Sequence, residues 1–496
     1  MESSASIVIG LESEIRLLKA ELELFKSKLD VLMAENVSLK ASISSLAASN
    51  KSLIETNKSL SEENLKLKEQ LGLTSKTSSI PTSKELYKLK RNRPKSIRKL
   101  EAQPGHSATT RVKLPADEVI NLGISAVCSY GGHVVVSSKP YIHQKVDLPD
   151  IKPYVIDYHM HHGRCRKCGK RYSSALPKGV TRDTFGPKIK SVISSLTAFY
   201  KNSKREVSYI LKDIFNLDIS LGSISNSEAR VAAKCQGAYQ AIEATIRKSK
   251  LVHIDETSHF NSAKRNWAWM MTSPIASLLK LTHSRSRKVL ESSALNAREQ
   301  IVVSDRYAVY NYFPPTNRQL CWSHIARDFE RFAHSWHSDV KALGFYLKQI
   351  ASELFVLHRS FLNQSMGLVT FLRRIRKLRK RTWYGLKAIS RLARAAQASR
   401  VAKNIMRSEP MLWRFYQDPL NIPLTNNLAE RQIRHYVVYR KNSYFTQSER
   451  GNRFLERVIS LYLTAKQQNL NPFKELKKII QEKTESKTEI KFLPQS

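Results

Sequence analysis

Apolar residues recur every seven positions at the start of the chain: Leu11, Leu18, Phe25, Leu32, Leu39, Leu46, Leu53, Leu60 and Leu67. Four residues after each comes a second series: Ile15, Leu22, Leu29, Asn36, Ile43, Asn50, Asn57, Asn64 and Leu71. With the first series as d and the second as a, the pattern predicts a left-handed coiled coil over residues 1–73. Asn at a buried a position satisfies its amide only against an in-register partner. Four such residues therefore specify a parallel pair of strands at a cost in stability. Glu14–Lys19, Glu21–Lys26, Glu35–Lys40 and Glu63–Lys68 are g-to-e pairs between identical chains, so a homodimer is expected, although each exposed pair contributes little. A lone amphipathic helix folded on its own body fits nine unbroken heptads poorly.

Beyond the zipper the periodicity stops. Residues 74–113 turn to Ser, Thr, Pro and Lys, and Pro81, Pro94 and Pro104-Gly105 break any helix. Eleven Lys or Arg there face two acids, Glu85 and Glu101, which predicts a flexible basic linker able to track phosphates. Residues 114–180 read as a β segment holding Cys128 and Cys165-Arg166-Lys167-Cys168-Gly169. That knuckle lets two thiolates face one zinc ion, and Cys128 is the candidate third ligand. A second Cys-x-x-Cys would close at position 131, which is Gly131; His133, His159, His161 or His162 is available as the fourth ligand. A zinc site and a metal-free remnant turn both fit, whereas no strand-helix pattern of the thioredoxin type supports a redox pair. Residues 181–245 are helical in pattern. Val207, Ile210, Leu211 and Ile214 share one face over Lys204–Phe215, a turn spans Asn216–Ser220, and a second helix starts near Ser223. This is helix-turn-helix spacing, suited to a major groove, and an ordinary helical pair has it too.

Two β-branched runs then end in Asp: Leu251-Val252-His253-Ile254-Asp255 and Ile301-Val302-Val303-Ser304-Asp305. Buried strands of an α/β sheet read this way, and functional groups gather at their ends. Between them lie strand candidates at Asn266–Thr272 and Ser277–Thr282, then a helix from about Ser286. Three strands, a helix and a fourth strand is the ribonuclease H arrangement, in which a third acid arrives from a later helix. Glu430, on the helix opening at Asn426, suits that role. Three converging carboxylates need cations to stay ionised in a dry site, and two Mg²⁺ (or Mn²⁺) ions about 4 Å apart would clamp both oxygens of a phosphodiester exchange. Each acid also has a structural reading. Asp255-Glu256-Thr257 makes a turn, Asp305 caps the helix of Tyr307–Tyr310, and Asn427-x-x-Glu430 forms a capping box.

Charge narrows the partner. The 496 residues hold 83 Lys or Arg against 42 Asp or Glu, a net +41, and so large an excess points to a polyanion, DNA before an anionic membrane surface. Residues 1–73 carry nine bases and eleven acids, so the zipper is not its source. The stretch 335–425, helical in pattern, carries seventeen bases and four acids. Its densest run includes Arg373, Arg374 and Arg376, read as a DNA-covering insertion or as a solvated basic face. No apolar run spans a bilayer and no secretory leader pattern opens the chain. Five cysteines make no disulfide framework. A cytoplasmic protein, nucleoid-associated when DNA-bound, is expected.

Several stretches together resemble the transposases of the insertion-sequence-sixty-six family along nearly the full chain. They are Gln103-Pro104-Gly105-His106, Cys165-Arg166-Lys167-Cys168-Gly169, Ile254-Asp255-Glu256-Thr257 and Ser304-Asp305-Arg306-Tyr307 through Tyr310. Cys321-Trp322-Ser323-His324 with Arg327, Leu424-Thr425-Asn426-Asn427-Leu428-Ala429-Glu430-Arg431 and Arg440-Lys441-Asn442 complete the set. The resemblance implies a DDE transposase with Asp255, Asp305 and Glu430 as its triad, a leucine-zipper start, a zinc-binding segment and accessory transposition proteins as partners. Gly131 departs from the family's second Cys-x-x-Cys. Cys321-x-x-His324 offers too few ligands for zinc and reads as a clamp between strand and helix.

The expected architecture is multidomain and mainly α, with an α/β ribonuclease H-like catalytic core (246–334 and 426–470) interrupted by the basic helical insertion 335–425. A tail, 471–496, ends it. A zipper-linked homodimer or higher oligomer would bind terminal inverted repeats and target DNA, cutting and joining by phosphoryl transfer. Arg431, Arg434, Arg440 and Lys441 are candidate phosphate contacts, Arg434 sharing a helix face with Glu430. The competing readings are a DNA-binding dimer without catalysis, such as a decayed transposase acting as repressor, and a nuclease or resolvase that cuts without joining.

Overall fold

The computed structural model describes residues 2–70, 112–293, 295–335 and 337–481. Leu71, the expected linker up to residue 111, the Gln103–His106 motif and residues 482–496 of the expected tail lie outside the described residues, as do the side chains of Leu11, Asn64, Leu67 and Lys68.

The heptad region forms one helix, α1 (Glu2–Gln70), about 100 Å long at 1.5 Å per residue. Its described apolar a and d side chains stand half or more in solvent, with Phe25 at 69% and Leu46 at 65%. This single chain leaves the seam uncovered.

Residues 112–186 bury little of themselves. Their regular structure is one pair of three-residue strands, β1 (His162–Arg164) and β2 (Arg171–Ser173), plus a bridge between Val127 and His133. Helices follow: α2 (Pro187–Ser194), α3 (Lys204–Phe215), α4 (Leu221–Lys234) and α5 (Gln236–Lys248). The Ser203 hydroxyl accepts from Glu206 N while Glu206 accepts from Ser203 N, a capping box that starts α3. Asn216 ends it in the left-handed region at φ 49°, and Ser220 caps α4. Val207, Leu211, Ile219 and Ile224 close over Ile193 as a small core. The helix pair expected from spacing is present, its second member starting two residues early.

The sheet holds β3 (Leu251–Asn261), β4 (Lys264–Thr272), β5 (Ser277–Thr282), β6 (Ile301–Ser304) and β7 (Arg318–Leu320), in the order β5-β4-β3-β6-β7. β3, β4 and β5 pair antiparallel, whereas β6 lies parallel to both β3 and β7. Between β5 and β6 the expected helix is only α6 (Arg287–Glu291). Period-two alternation sends Trp269, Met271, Val252 and Ile254 to one face, packed with Ile242 and Ile246 of α5 and with Leu290. Ala268, Met270 and Leu279 go to the other.

After β7 come α7 (Trp322–Ala333), α8 (Ser338–Leu362), α9 (Leu368–Ser390), α10 (Ala396–Arg407), α11 (Glu409–Leu412), α12 (Asn427–Ser443), α13 (Glu449–Gln467) and α14 (Pro472–Gln481). The chain divides into two compact units, one taking in α1, Ile325–Leu357 and Arg376–Met406 and the other the sheet and its covering helices. Within the latter, α12 and α13 cover the second sheet face through Ile433, Tyr436, Phe454, Val458 and Tyr462, and α14 adds Leu476, Ile479 and Ile480. No helix among the described residues is long and apolar enough to cross a membrane.

The free edge of β5 is closed by side chains of α13. Leu281 N donates to Glu456 Oε1 (2.6 Å), Leu279 N to Ser460 Oγ (2.8 Å) and Ser277 N to Thr464 Oγ1 (3.0 Å). Four helical residues rise about 6.0 Å and two strand residues about 6.7 Å, so the two ladders stay in step. An edge that would otherwise recruit another strand is thereby satisfied.

Candidate active site

Asp255 and Asp305 are brought together by strand register. β3 and β6 pair in parallel as Leu251↔Ile301, Val252↔Val302 and His253↔Val303. Two residues further along each chain stand the two acids, on the same sheet face by parity and on neighbouring strands. Asp255 is not at a strand end as expected, because β3 continues to Asn261 in a hairpin with β4. It lies instead where its parallel neighbour stops.

Glu430 arrives in the first turn of α12, and Asn426 sets that helix. Asn426 is buried, its Nδ2 donates to Ile254 O (2.7 Å), its Oδ1 meets His253 Nδ1 (3.1 Å), and its backbone N–H points at Cys321 Sγ (3.2 Å). His253 is driven down to about 4 by burial, so its ring is neutral at pH 7. The capping box expected as an alternative does not form. Asn426, not Asn427, is the N-cap, no side chain caps the helix, and Glu430 is bonded there only through its own N–H. The Glu430 carboxylate lies instead 4.0 Å from Cys321 Sγ and 3.8 Å from His324 Nδ1. The capping role of Asp305 does exist in part, since Tyr307 N donates to its Oδ1 (2.9 Å) ahead of a short 3-10 helix, Ala308–Tyr312.

Electrostatics tie the acids to one another. Burial pushes the Asp255 carboxyl well above the usual range, and the charges of Glu256, Asp305 and Glu430 push it further. A buried carboxyl lifted by neighbouring carboxylates favours a cation or a proton. Glu256 faces the opposite side of β3, where Arg285 and the Tyr310 hydroxyl hold it. Burial still keeps that carboxyl above its ordinary value. Arg285 is in turn stacked over Tyr307 (3.8 Å) and Trp267 (4.6 Å). Arg318 on β7 is buried beneath Asp305; its guanidinium donates to the Asp305 carbonyl (2.6 Å), Ser304 Oγ (2.9 Å) and Asn311 Oδ1 (2.9 Å).

Sequence reasoning missed these supports. Glu256, Tyr310 and Asn426 lay inside recognised motifs without a stated role. Arg318, a cation within a buried strand, had no motif to flag it.

Among the described residues, the group of three metal-ligand side chains with donor atoms all within 4.8 Å of one another is Cys321, His324 and Glu430. The expected acid trio is not drawn that tightly, and neither are Cys128, Cys165 and Cys168. Cys165 and Cys168 do share a knuckle: Gly169 turns at φ 71°, and the Cys165 thiol is held below its ordinary value by the N–H groups of Cys168 and Lys167 and by the Cys168 thiol. Cys128 sits in a like turn, with Gly131 at φ 80°.

The candidate DNA contacts differ in placement. Arg431, Arg434 and Lys441 are exposed on α12, and Arg373, Arg374 and Arg376 line the exposed side of α9 opposite buried Phe371, Ile375 and Leu378. Arg440 is turned inward, donating to Thr257 Oγ1 (2.8 Å) and to Ser258, and so joins α12 to β3.

Residues 203–454 match the sequence model of one family, described as Transposase IS66 family. The match opens at the cap of α3 and closes inside α13, taking in the sheet, Cys321, His324 and the three acids. No curated protein matches the chain significantly.

Proposed function

The chain belongs to the IS66 family of transposases, and from that premise we propose that it cuts DNA at transposon ends and joins the freed 3′-hydroxyls to target DNA, with Asp255, Asp305 and Glu430 as its catalytic acids. The observation carrying this reading is the β3–β6 register that sets Asp255 beside Asp305, joined by a Glu430 charge strong enough to lift Asp255. Three antiparallel strands continued by two parallel ones, followed by a helix bearing the third acid, support a ribonuclease H-like core.

The donor set suits Mg²⁺ or Mn²⁺, being made of hard oxygens that repel one another without a cation. Asp255, Asp305 and Glu430 would hold a pair of such ions, which supply charge neutralisation and in-line alignment of the attacking and leaving oxygens. The protein's share is placement. Asn426 fixes α12 against β3, Arg318 holds the Asp305 backbone, and Glu256 with Arg285 stiffens the strand behind Asp255.

Around this core the zipper 1–73 would pair two chains. The linker 74–113, the helices of 181–245 and the basic insertion 335–425 would engage DNA phosphates through groups such as Arg373, Arg374, Arg376, Arg431, Arg434 and Lys441. Cys128, Cys165 and Cys168 would hold a structural Zn²⁺ once drawn together with a fourth ligand.

The test is cleavage and strand joining of terminal-repeat DNA by purified protein with Mg²⁺ or Mn²⁺. Asp255→Asn, Asp305→Asn and Glu430→Gln should each abolish both steps while leaving end binding intact. Cutting at wild-type rates by any of the three would remove that residue from the site.

A further inference from the structure

Glu430 has neighbours that the acid trio does not explain. Cys321 precedes α7 and His324 lies in its first turn, so the three-residue spacing puts both on one side of the helix start. Their donor atoms and a Glu430 oxygen lie within 4.8 Å of one another, with Oε1 4.0 Å from Cys321 Sγ and 3.8 Å from His324 Nδ1. A tetrahedral zinc ion bound at about 2.0–2.3 Å sets such donors roughly 3.3–3.6 Å apart. The two distances to Glu430 exceed this by about 0.5 Å, and the remaining pair, sulfur and imidazole, lies within 4.8 Å.

Cys321 is 1% exposed, and burial pushes its thiol up, while backbone N–H groups of Asn426, His324 and Ser323 offset part of that and the Glu430 charge adds to it. The sulfur is a soft donor held in place beside the imidazole and the carboxylate, and a divalent cation would be needed to draw out its thiolate. Glu430 and His324 remain 31% and 24% exposed, which leaves an approach for an ion and for a water as fourth ligand. One thiolate, one imidazole and one carboxylate is a borderline-metal set with an open position. Magnesium, which takes oxygen, has little use for it.

We propose that Cys321, His324 and Glu430 bind one borderline divalent cation, Zn²⁺ by preference, at the start of α7. Binding releases the thiol proton to solvent and leaves the carboxylate as a ligand. Because Glu430 is shared, an ion held here withdraws it from Asp255 and Asp305 and stops DNA cleavage. That consequence rests on the catalytic reading above, whereas the binding site does not.

The experiment uses the full chain carrying Cys128→Ser, Cys165→Ser and Cys168→Ser, which leaves Cys321 and the fully buried Cys235 as its thiols. Titration with Co²⁺ should give a thiolate-to-cobalt charge-transfer band at one ion per chain, displaced by Zn²⁺ and not by excess Mg²⁺. Cys321→Ser should remove the band. His324→Ala, at a partly exposed position, should weaken binding by more than the ~10–100-fold that loss of an outer-shell partner costs. Asp255→Asn should leave the band unchanged while ending cleavage, which separates this site from the catalytic one. Absence of the band, its survival in Cys321→Ser with the fold intact, or wild-type affinity in His324→Ala would overturn the proposal.

Discussion

Asn426 Nδ2 donates to the carbonyl oxygen of Ile254 at 2.7 Å, so the residue that caps the helix of Glu430 is fastened to the strand position next to Asp255. Asp255 and Glu430 are 175 positions apart in the chain, and this buried amide is the bond nearest to both that ties their elements together, with Arg440 adding a second tie further along α12.

Asn426→Asp keeps the shape and removes the donor. A carboxylate would then face the Ile254 carbonyl in a buried site, at a cost of about 1–3 kcal/mol or more. Cleavage should fall at least ~10-fold, as about 1.4 kcal/mol of lost positioning implies, while end binding measured by fluorescence anisotropy stays at the wild-type level. Unchanged cleavage would show that Glu430 is placed by something other than this bond.

Asp255→Asn should trade activity for stability. The folded state holds the Asp255 carboxyl well above its ordinary value, so the unfolded chain loses that proton first as pH rises. Stability therefore drops from the unfolded carboxylate range, near pH 4, up through the folded value. Without divalent metal the variant should melt above wild type at pH 8, the gap closing toward pH 4. Mg²⁺ should raise the wild-type melting point and leave the variant's almost unmoved. Thermal melts across pH, with and without Mg²⁺, check both.

Glu256 is 3% exposed in its side chain and Arg285 34%. Arg285→Ala would leave the carboxylate buried without its cation. About 2–3 kcal/mol of stability should go, below the usual cost of breaking a buried pair because the guanidinium is one-third in water. Adding Glu256→Gln to that variant should recover part of the loss. Urea denaturation of the two variants reads this directly; a double variant weaker than the single would mean that Glu256 stabilises the fold through Tyr310 alone.

Periodicity and strand-end chemistry made much of this legible. Nine heptads foretold α1, and the runs ending at Asp255 and Asp305 foretold β3, β6 and the pairing of those acids. Seven-residue and two-residue repeats are local signals, so they survive in sequence. The length of β3 was hidden because its second half, Glu256–Asn261, alternates polar residues over a surface that packs only as a hairpin. The grouping of Cys321 and His324 with Glu430 was hidden for another reason. The sulfur and the carboxylate are 109 positions apart, and spacing within the Cys-x-x-His motif says nothing of a third ligand delivered by α12. The α13–β5 ladder, built from Glu456, Ser460 and Thr464, looks like any helix face until the strand is laid beside it.

That ladder contains a pH-sensitive rung. Burial pushes the Glu456 carboxyl up to about 7 from an ordinary 4.5, against the bond it accepts from Leu281 N. A raised carboxyl means the unfolded chain ionises first, so stability is full below about 4.5 and falls as pH rises toward 7. Glu456→Gln keeps an acceptor for Leu281 N and removes the titration. The variant should be more stable than wild type at pH 8 by up to about 3 kcal/mol and equal to it near pH 4. Equal stability at both pH values would place the Glu456 charge in solvent.

Removal of residues 1–73 tests what covers the seam of α1. Ile15, Leu22, Leu29, Leu32, Leu39, Ile43 and Leu46 are all more than half exposed in the single chain or close to it, the lowest of them Ile15 at 50%. A helix of 69 residues with such a stripe gains its stability by burying it against a partner. The full chain should sediment as a dimer and the truncated chain as a monomer that still binds a single transposon end but no longer pairs two. Asn36, Asn50 and Asn57 give a finer handle. Replacing all three with Ile should raise the melting temperature of the zipper and admit trimers or mixed registers, because three of the four amides that select two parallel strands are gone and Asn64 alone is left to do so. A truncated chain that remains dimeric would move the dimer contact to the body of the protein and leave α1 to bind something else.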